Sequence, residues 1–193
     1  MQSDRVVEKF KETGALLEGH FLLSSGLHSG VYLQCALVLQ YPDEAAAFGR
    51  AIADRFREQN IRLVASPAIG GIVIGHEVAR ALGARFVWTE RQDGEMKLRR
   101  GFSISPGEVT LVVEDVITTG ASTRDTIAVL RDNGAQVVAA ASLIDRSSGK
   151  AEVGVPLVSL TTLSVPAVDA SNCEACRRGE PVVKPGSRKS EGK

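Results

Sequence analysis

The sequence predicts an α/β fold built on a mostly parallel sheet flanked by helices. Apolar stretches typical of buried strands recur along the chain, helical stretches separate them, and glycines or prolines mark the changes between them. Strands that alternate with helices favour a parallel sheet with crossover helices. The length of 193 residues suits one domain with a sizeable core.

The predicted elements follow one another in a regular order. Apolar residues at helical spacing predict a first helix over 4–18, and short strands and turns follow over 20–40. A second helix opens at Pro42 and runs to about residue 59. Strands are then expected at 63–66, 84–88, 109–114 and 136–144, and helices at 72–82 and 121–133.

This order predicts a single domain over residues 1–183. A small hood over about 1–40 precedes a core over about 43–165. Residues 184–193 are rich in Lys, Gly, Ser and Glu, a composition typical of a disordered tail.

Composition and charge argue against several classes of protein. Lys plus Arg and Asp plus Glu both number 23, so the charge gives no support for a nucleic-acid or membrane partner. No apolar run approaches the ~20 residues needed to cross a bilayer. The first residues lack an apolar signal core, so a cytoplasmic enzyme or binding protein is expected.

Two of the three cysteines, Cys173 and Cys176, form a CxxC pair. One such pair supplies only two of the four ligands that structural zinc takes. Three interpretations stay open: reduced cysteines in a surface loop, half of a metal site completed by a second subunit, and a redox pair. The histidines are expected to be structural or at the surface.

Residues 111–130 contain the largest group of side chains suited to binding a ligand. A buried strand leads into two carboxylates, Glu114 and Asp115, and a turn then opens a helix. A helix N-terminus holds phosphate through free N–H groups and its positive dipole end, and ligands of open α/β sheets bind beyond the carboxyl ends of strands. We therefore expect phosphate at the turn, which consists of Val116, Ile117, Thr118, Thr119, Gly120, Ala121 and Ser122.

The two acids have the wrong charge to face a phosphate. Their position beside the turn indicates that they face something else, such as sugar hydroxyls or a metal ion, and a phosphorylated ribose satisfies both features. The alternative is that the acids only end the strand and the turn only caps the helix. The turn is neither GxxxxGK[ST] nor GxGxxG, which argues against a P-loop or dinucleotide fold.

The sequence VVEDVITTGAS, residues 112–122, resembles the signature of the type I phosphoribosyltransferases. The resemblance implies binding of 5-phosphoribosyl-1-pyrophosphate (PRPP) with Mg²⁺, the ion being held through PRPP and not by protein side chains alone. Three further stretches, 19–34, 66–75 and 142–149, resemble orotate phosphoribosyltransferases. They imply transfer of phosphoribose to orotate with release of pyrophosphate.

The resemblance also assigns site residues. Glu114, Asp115 and the turn that follows them would bind PRPP, and its pyrophosphate would lie on backbone amides of Ala68, Ile69, Gly70 and Gly71. An arginine fork recognises carboxylates, so Arg146 would contact orotate, although an exposed arginine at a strand end is the alternative. The other expected orotate contacts are Ser25, Gly26, Tyr32 and Thr118. His28 lies close to them in sequence.

Residues 89–107 are polar and contain glycines, and we expect them to close over the site and exclude water. Arg91 matches a family arginine and would meet the pyrophosphate on closure, so Arg91 and Asp115 are the expected catalytic residues. Gln92 stands where many relatives have lysine, and the nearby cations are Lys97, Arg99 and Arg100. The family's loop reaches into a neighbouring subunit, which implies a homodimer.

Two alternatives remain for the function. The first is a phosphoribosyltransferase for another base, such as a purine or uracil; adenine has no carboxylate for Arg146 to hold. The second is a PRPP-sensing transcription regulator of the same fold, which would need a DNA-binding helix pair or a basic face. The balanced charge of the chain argues against the second.

Overall fold

The structure, a computed structural model, describes residues 3–23 and 25–184. Its α-helices are α1 Ser3–Glu12, α2 Ala36–Leu39, α3 Pro42–Ala53, α4 Gly71–Leu82, α5 Ala121–Asp132 and α6 Glu174–Arg177. Its strands are β1 Leu16–Leu22, β2 His28–Leu33, β3 Leu63–Pro67, β4 Arg85–Gln92, β5 Glu95–Leu98, β6 Val109–Ile117, β7 Gln136–Asp145, β8 Leu157–Thr162 and β9 Ala167–Val168.

Six strands form the main sheet in the order β5-β4-β3-β6-β7-β8. The pairs from β4 to β8 are parallel, and only β5 runs antiparallel to its neighbour β4. The prediction of a mostly parallel sheet flanked by helices is confirmed. The chain moves outward from β3 to β4 and then returns to β6 on the other side, so β3 and β6 adjoin where the winding reverses. Ligands of such sheets bind at this point.

The alternation of side chains along the strands produces two apolar layers. On β3, Val64 packs into the layer that contains residues of α3 and α4, such as Phe48 and Ile74. Its neighbours Leu63 and Ala65 pack into the layer that contains residues of α5. A strand buried on both faces has a continuous apolar sequence, which explains why the central strands were predicted close to their observed bounds.

A second, smaller sheet consists of β1, β2 and β9, and we call it the hood sheet. β1 and β2 form an antiparallel hairpin, and β9 pairs with β2 through His28 and Ser29. Val183 also contacts this sheet, since its N–H donates to the carbonyl of His20 at 2.8 Å. The hood sheet therefore joins the first part of the chain to residues 167–184, which we call the C-terminal arm.

The predicted helix over 4–18 is wrong in its second half. The helix ends at Glu12, Gly14 adopts a φ of +66°, and Leu16 begins β1. A left-handed φ suits glycine and stops a helix. The prediction ran past this point because Leu17 still stands at helical spacing from Phe10. Similarly, part of the polar stretch 89–107 is a hairpin of β4 and β5.

Other sequence predictions concern the ends of the chain. The expected tail at 184–193 lies outside the described residues except for Lys184. The domain boundaries stay a prediction. No helix in the described part of the chain is long and apolar enough to cross a membrane.

Candidate active site

The turn after β6, residues 116–122, forms a small cup that we call the phosphate loop. Together with Glu114 it lines a cavity of about 60 Å³. Gly120 has a φ of +73°, and a Cβ there would lie 2.8 Å from Cγ1 of Val153, so only glycine fits. Arg124 holds the loop from outside, since its Nη1 donates to the carbonyl of Thr119 at 2.8 Å. The predicted phosphate residues thus come together at the N-terminus of α5.

Glu114 lies at the base of the loop with its carboxylate largely withdrawn from water. The hydroxyl of Thr123 donates to its Oε2. Burial raises the pKa of Glu114 to about 7, and the charge of Asp115 acts in the same direction. Glu114 is therefore poised between its protonated and ionised forms near neutral pH.

Asp115 accepts a hydrogen bond from the N–H of Val116 at 2.8 Å. Burial raises its pKa, and this hydrogen bond and one from the Cys35 thiol oppose the rise. Cys35 is itself buried, and burial together with the Asp115 charge raises the pKa of its thiol well above the ordinary value. Cys35 is thus a neutral donor that supports the Asp115 carboxylate.

Residues 68–71, which we call the pyrophosphate loop, follow β3 and lie beside the acids because β3 adjoins β6. A Cβ on Gly70 would lie 2.7 Å from Oδ2 of Asp115, and one on Gly71 would lie 3.0 Å from the carbonyl oxygen of Val113. The Ala68–Ile69 peptide bond is cis, and Ile69 is 85% exposed. The two predicted PRPP loops therefore meet at Asp115.

A cleft of about 600 Å³ separates the hood sheet from the phosphate loop, and we call it the acceptor cleft. Four of the five predicted orotate contacts line it: Ser25, Tyr32, Thr118 and Arg146. Gly26 belongs to the turn beside it, where its N–H donates to the carbonyl of Leu23 at 2.9 Å. The remaining lining residues are Leu22, Leu23, Leu27, Thr119, Val165, Ala167 and Lys184.

Arg146 follows β7, and its backbone N–H donates to the carbonyl of Ile117 at 2.8 Å. The side chain is half-buried, and burial lowers its pKa. Its Nε is buried and has no hydrogen-bond partner within the described residues. Because leaving a charged donor unpaired is costly, this guanidinium is suited to an anionic ligand in the cleft.

Arg91 is not among the residues that line the phosphate loop or the acceptor cleft. Its guanidinium donates to Oδ2 of Asp125 on α5 and to the carbonyl of Gly94, both at 2.7 Å. Arg99 and Arg100 both pair with Glu90. The pKa of Glu90 is lowered to about 2, and the hydrogen bond from Arg100 is the largest cause. The cations of the β4–β5 hairpin therefore have acidic partners within the chain.

Sequence reasoning missed several residues of the site. Lys184 lines the acceptor cleft, but its tail-like surroundings gave no signal of this. Cys35 approaches Asp115 from 80 residues away in sequence, and no motif marks it. His28 does not line the acceptor cleft, because its ring lies beside Cys176 instead. The interpretation of both cysteines as a surface-loop pair is wrong for Cys173, which is 6% exposed.

The carboxylates at the end of β6 are hard oxygen donors of the kind that Mg²⁺ prefers. Glu114 and Asp115 supply two such carboxylates beside the phosphate loop, fewer than a cage made by protein alone would need. This donor set fits an ion that takes most of its ligands from substrate phosphates and water.

Comparison with known proteins agrees with this geometry. Residues 37–169 match the family described as phosphoribosyl transferase domain. An orotate phosphoribosyltransferase of Caldicellulosiruptor bescii is 51% identical over 98% of this chain and 100% of its own length. That of Caldanaerobacter subterraneus subsp. tengcongensis is 47% identical over the same shares.

Solved structures show the same fold. The orotate phosphoribosyltransferase of Aeropyrum pernix has a TM-score of 0.67 and 28% identity, covering 82% of this chain and 93% of that one. An adenine phosphoribosyltransferase of Rhodothermus marinus has a TM-score of 0.64 at 23% identity, covering 83% and 99%. The second likeness shows the fold alone. With the phosphate loop, the paired acids and close relatives over nearly its full length, this chain belongs to the orotate phosphoribosyltransferase family of phosphoribosyl transferases.

Proposed function

We propose that the enzyme transfers 5-phosphoribose from PRPP to orotate, giving orotidine 5′-phosphate and pyrophosphate, as in pyrimidine (UMP) biosynthesis. The observation that carries the choice of acceptor is Arg146, whose buried Nε is unpartnered within the described residues and lies at the acceptor cleft. Orotate has a carboxylate that a guanidinium fork can bind. The relatives at 47% and 51% identity bear the name of this activity.

The donor would bind across the end of the sheet. The phosphate loop offers backbone N–H groups and the N-terminus of α5 to the 5-phosphate. Glu114 and Asp115 are then positioned to accept hydrogen bonds from the ribose 2- and 3-hydroxyls. The pyrophosphate would lie on backbone amides of residues 68–71, where the absence of a side chain at Gly70 leaves room beside Asp115.

The reaction is a displacement at C1 of the ribose. A ring nitrogen of orotate forms the new bond to C1 as the bond to pyrophosphate breaks, and positive charge builds on the ribose. The ring nitrogen loses its proton, which passes to the pyrophosphate or to water. Asp115 and Glu114 stabilise this charge from the hydroxyl side, and Arg146 orients the acceptor. Positioning and electrostatic stabilisation suffice, with no covalent enzyme intermediate. Bound with PRPP, Mg²⁺ would neutralise charge on the leaving pyrophosphate.

We further propose that the enzyme is a homodimer in which the β4–β5 hairpin brings Arg91 to the pyrophosphate. The exposed position of Arg91 supports this, since its only anionic partner among the described residues, Asp125, is itself exposed. A guanidinium in an exposed pair can exchange partners at small cost. The cytoplasmic location and the lack of a nucleic-acid partner stay predictions.

The test follows the loss of orotate absorbance on addition of PRPP and Mg²⁺. We expect Asp115→Asn and Arg146→Ala each to lower kcat/KM by about 10²-fold, the cost of losing one charge-assisted contact in the transition state. For Arg146→Ala, the loss should be larger with limiting orotate than with limiting PRPP.

The exposed pair Asp54 and Arg57, 2.8 Å apart on the surface, supplies matched controls. Asp54→Asn and Arg57→Ala should stay within about twofold of wild type, since exposed pairs contribute little. Consumption of adenine or uracil with orotate left untouched would contradict the proposed acceptor. Activity within twofold of wild type for both site variants would contradict the proposed site.

A further inference from the structure

Four side chains with nitrogen or sulfur ligand atoms converge at the hairpin of β1 and β2, which we call the hood hairpin. His20 and His28 lie on β1 and β2, while Cys173 and Cys176 lie in the C-terminal arm, and their ligand atoms all fall within 4.8 Å of one another. His20, His28 and Cys173 are buried, and Cys176 is partly buried. His20 and Cys173 are 153 positions apart in sequence, so the fold, not local chain proximity, assembles this cluster.

The distances in the cluster fit a tetrahedral ion. Bonds of about 2.0 Å to nitrogen and 2.3 Å to sulfur put neighbouring donor atoms about 3.3–3.8 Å apart. Nε2 of His20 lies 3.5 Å from each of the two sulfurs, and Nδ1 of His28 lies 3.2 Å from Sγ of Cys176. The two ring nitrogens are 2.7 Å apart, so binding would require them to separate by about half an ångström.

The surroundings of the cluster orient these ligands. Nδ1 of His20 lies 3.0 Å from the carbonyl oxygen of Glu180. Donation to this carbonyl fixes the ring proton on Nδ1 and leaves the lone pair of Nε2 for an ion, as outer hydrogen bonds do for metal-bound histidines.

The ligand set also selects the metal and its role. Two thiolates and two imidazoles at tetrahedral distances suit Zn²⁺, and four protein ligands leave no position for a substrate. The charge of Zn²⁺ is balanced by two thiolates, so the buried site is neutral as a whole. Such a closed set stabilises structure, since the ion binds the folded chain and not the unfolded one.

We propose that His20, His28, Cys173 and Cys176 form a structural zinc site that fastens the C-terminal arm to the hood hairpin. The arm also contacts the hairpin of β1 and β2 through the two-residue strand β9, the carbonyl of Glu180 and Val183. The same hairpin carries the turn residues Leu23, Ser25 and Leu27 of the acceptor cleft, and the arm carries Lys184. The zinc site would therefore hold two walls of that cleft together.

Metal content of the full chain, purified without a polyhistidine tag or chelator, tests the proposal. We expect about one zinc per chain in the wild type, and loss of nearly all of it in Cys176→Ser and His28→Gln. The matched controls are Cys35→Ala and His76→Gln, the one other cysteine and the one other histidine of the sequence. Both controls should retain the metal.

Two further measurements keep the test decisive if a variant folds poorly. Cobalt added to chelator-treated wild type should give the visible absorption of a tetrahedral ion with thiolate ligands. A thiol count on the denatured, unreduced protein should give all three cysteines free, whereas a Cys173–Cys176 disulfide would leave one free.

A wild type that binds neither zinc nor cobalt would overturn the proposal, as would a disulfide in the thiol count. Zinc retained by both cluster variants would overturn it equally. Because these readouts measure metal and thiols and not turnover, they are independent of whether orotate is the substrate.

Discussion

At the scale of single residues, the raised pKa of Glu114 predicts that PRPP binding depends on the protonation state of this carboxyl. Burial raises its pKa to about 7. The carboxylate form accepts hydrogen bonds from sugar hydroxyls, whereas the protonated form uses one oxygen as a donor. Binding of PRPP should therefore release a proton whenever the pH is below about 7.

We expect the affinity for PRPP to fall by up to about tenfold per pH unit below that pKa, because the bound state must first deprotonate Glu114. Calorimetric titration of PRPP into the enzyme with Mg²⁺ between pH 5.5 and 8 measures this. PRPP phosphates titrate in the same range, so Glu114→Gln is the control. If that variant keeps the full pH dependence of wild type, the dependence belongs to the ligand.

The same pKa affects folding in the absence of ligand. An unfolded glutamate titrates near 4.5 and the folded one near 7, so the folded state binds the proton more tightly. The contribution of Glu114 to the free energy of unfolding is then fully present below about pH 4.5 and is lost as the pH rises through about 7. We expect Glu114→Gln to raise the Tm at pH 8 more than at pH 5, as measured by thermal unfolding. An equal change at both pH values would contradict this.

At the scale of elements, the arginines of the β4–β5 hairpin and of the residues just after it are paired with acidic side chains. Arg91 pairs with Asp125, Arg99 and Arg100 pair with Glu90, and Trp88 packs edge-on against Phe102 with ring centroids 4.7 Å apart. The Arg91 pair joins the hairpin to α5. Leu98 of β5 also packs against the apolar layer that contains residues of α5. Movement of the hairpin tip therefore requires the Arg91 pair to break.

Replacement of each partner separates the two possible roles of the pair. If Arg91 binds pyrophosphate on closure, Arg91→Ala should lower kcat/KM for PRPP by about 10²-fold. Asp125→Asn should leave it unchanged or raise it, because Arg91 is then released. Steady-state kinetics with varied PRPP measures both, and equal losses in the two variants would mean that the pair serves only to anchor the hairpin.

Elements whose burial is continuous were predictable from sequence. The runs at 63–66 and 136–144 are apolar on both faces, and the strands β3 and β7 extend each by one residue. β8 was not predicted, since Ser159, Thr161 and Thr162 dilute its apolar pattern. The first helix was extended too far because Leu17 keeps helical spacing with Phe10 after Gly14 has ended the helix.

At the scale of the whole molecule, a second subunit would complete the site that one chain leaves open. The described residues of one chain bring together the phosphate loop, the pyrophosphate loop and the acceptor cleft, but not Arg91. In the proposed homodimer the hairpin of one subunit serves the site of the other. Light scattering should give twice the mass of one chain.

Mixed dimers test this arrangement. Co-expression of Arg91→Ala with Asp115→Asn in equal amounts should restore about a quarter of wild-type activity, since half of the dimers are mixed and each mixed dimer has one intact site. The two variants expressed singly are the controls. If the mixture is no more active than the mean of the two variants, Arg91 does not act across the interface.

The parts of the candidate site that could be predicted from sequence are those made by continuous segments. The phosphate loop, the acids and Arg146 each lie at or just beyond the end of a strand. Their positions in the sequence therefore predict that they lie at the carboxyl edge of the sheet. Lys184 and Cys35 reach the candidate site through contacts between distant segments. The cluster of His20, His28, Cys173 and Cys176 forms in the same way. The CxxC pair marked two of the four members of that cluster, but a single sequence does not show which distant residues such contacts join.

The construction of the hood sheet has a consequence for the divergence of these enzymes. The two predicted PRPP loops follow central strands of the main sheet, whereas the facing wall of the acceptor cleft comes from the hairpin of β1 and β2 and from the C-terminal arm, which lie outside that sheet. Loop tips and segments outside a central sheet accept replacement more readily than its central strands. The base that is recognised can therefore change during evolution while the loops that face PRPP are kept, because specificity belongs to the site and not to the fold.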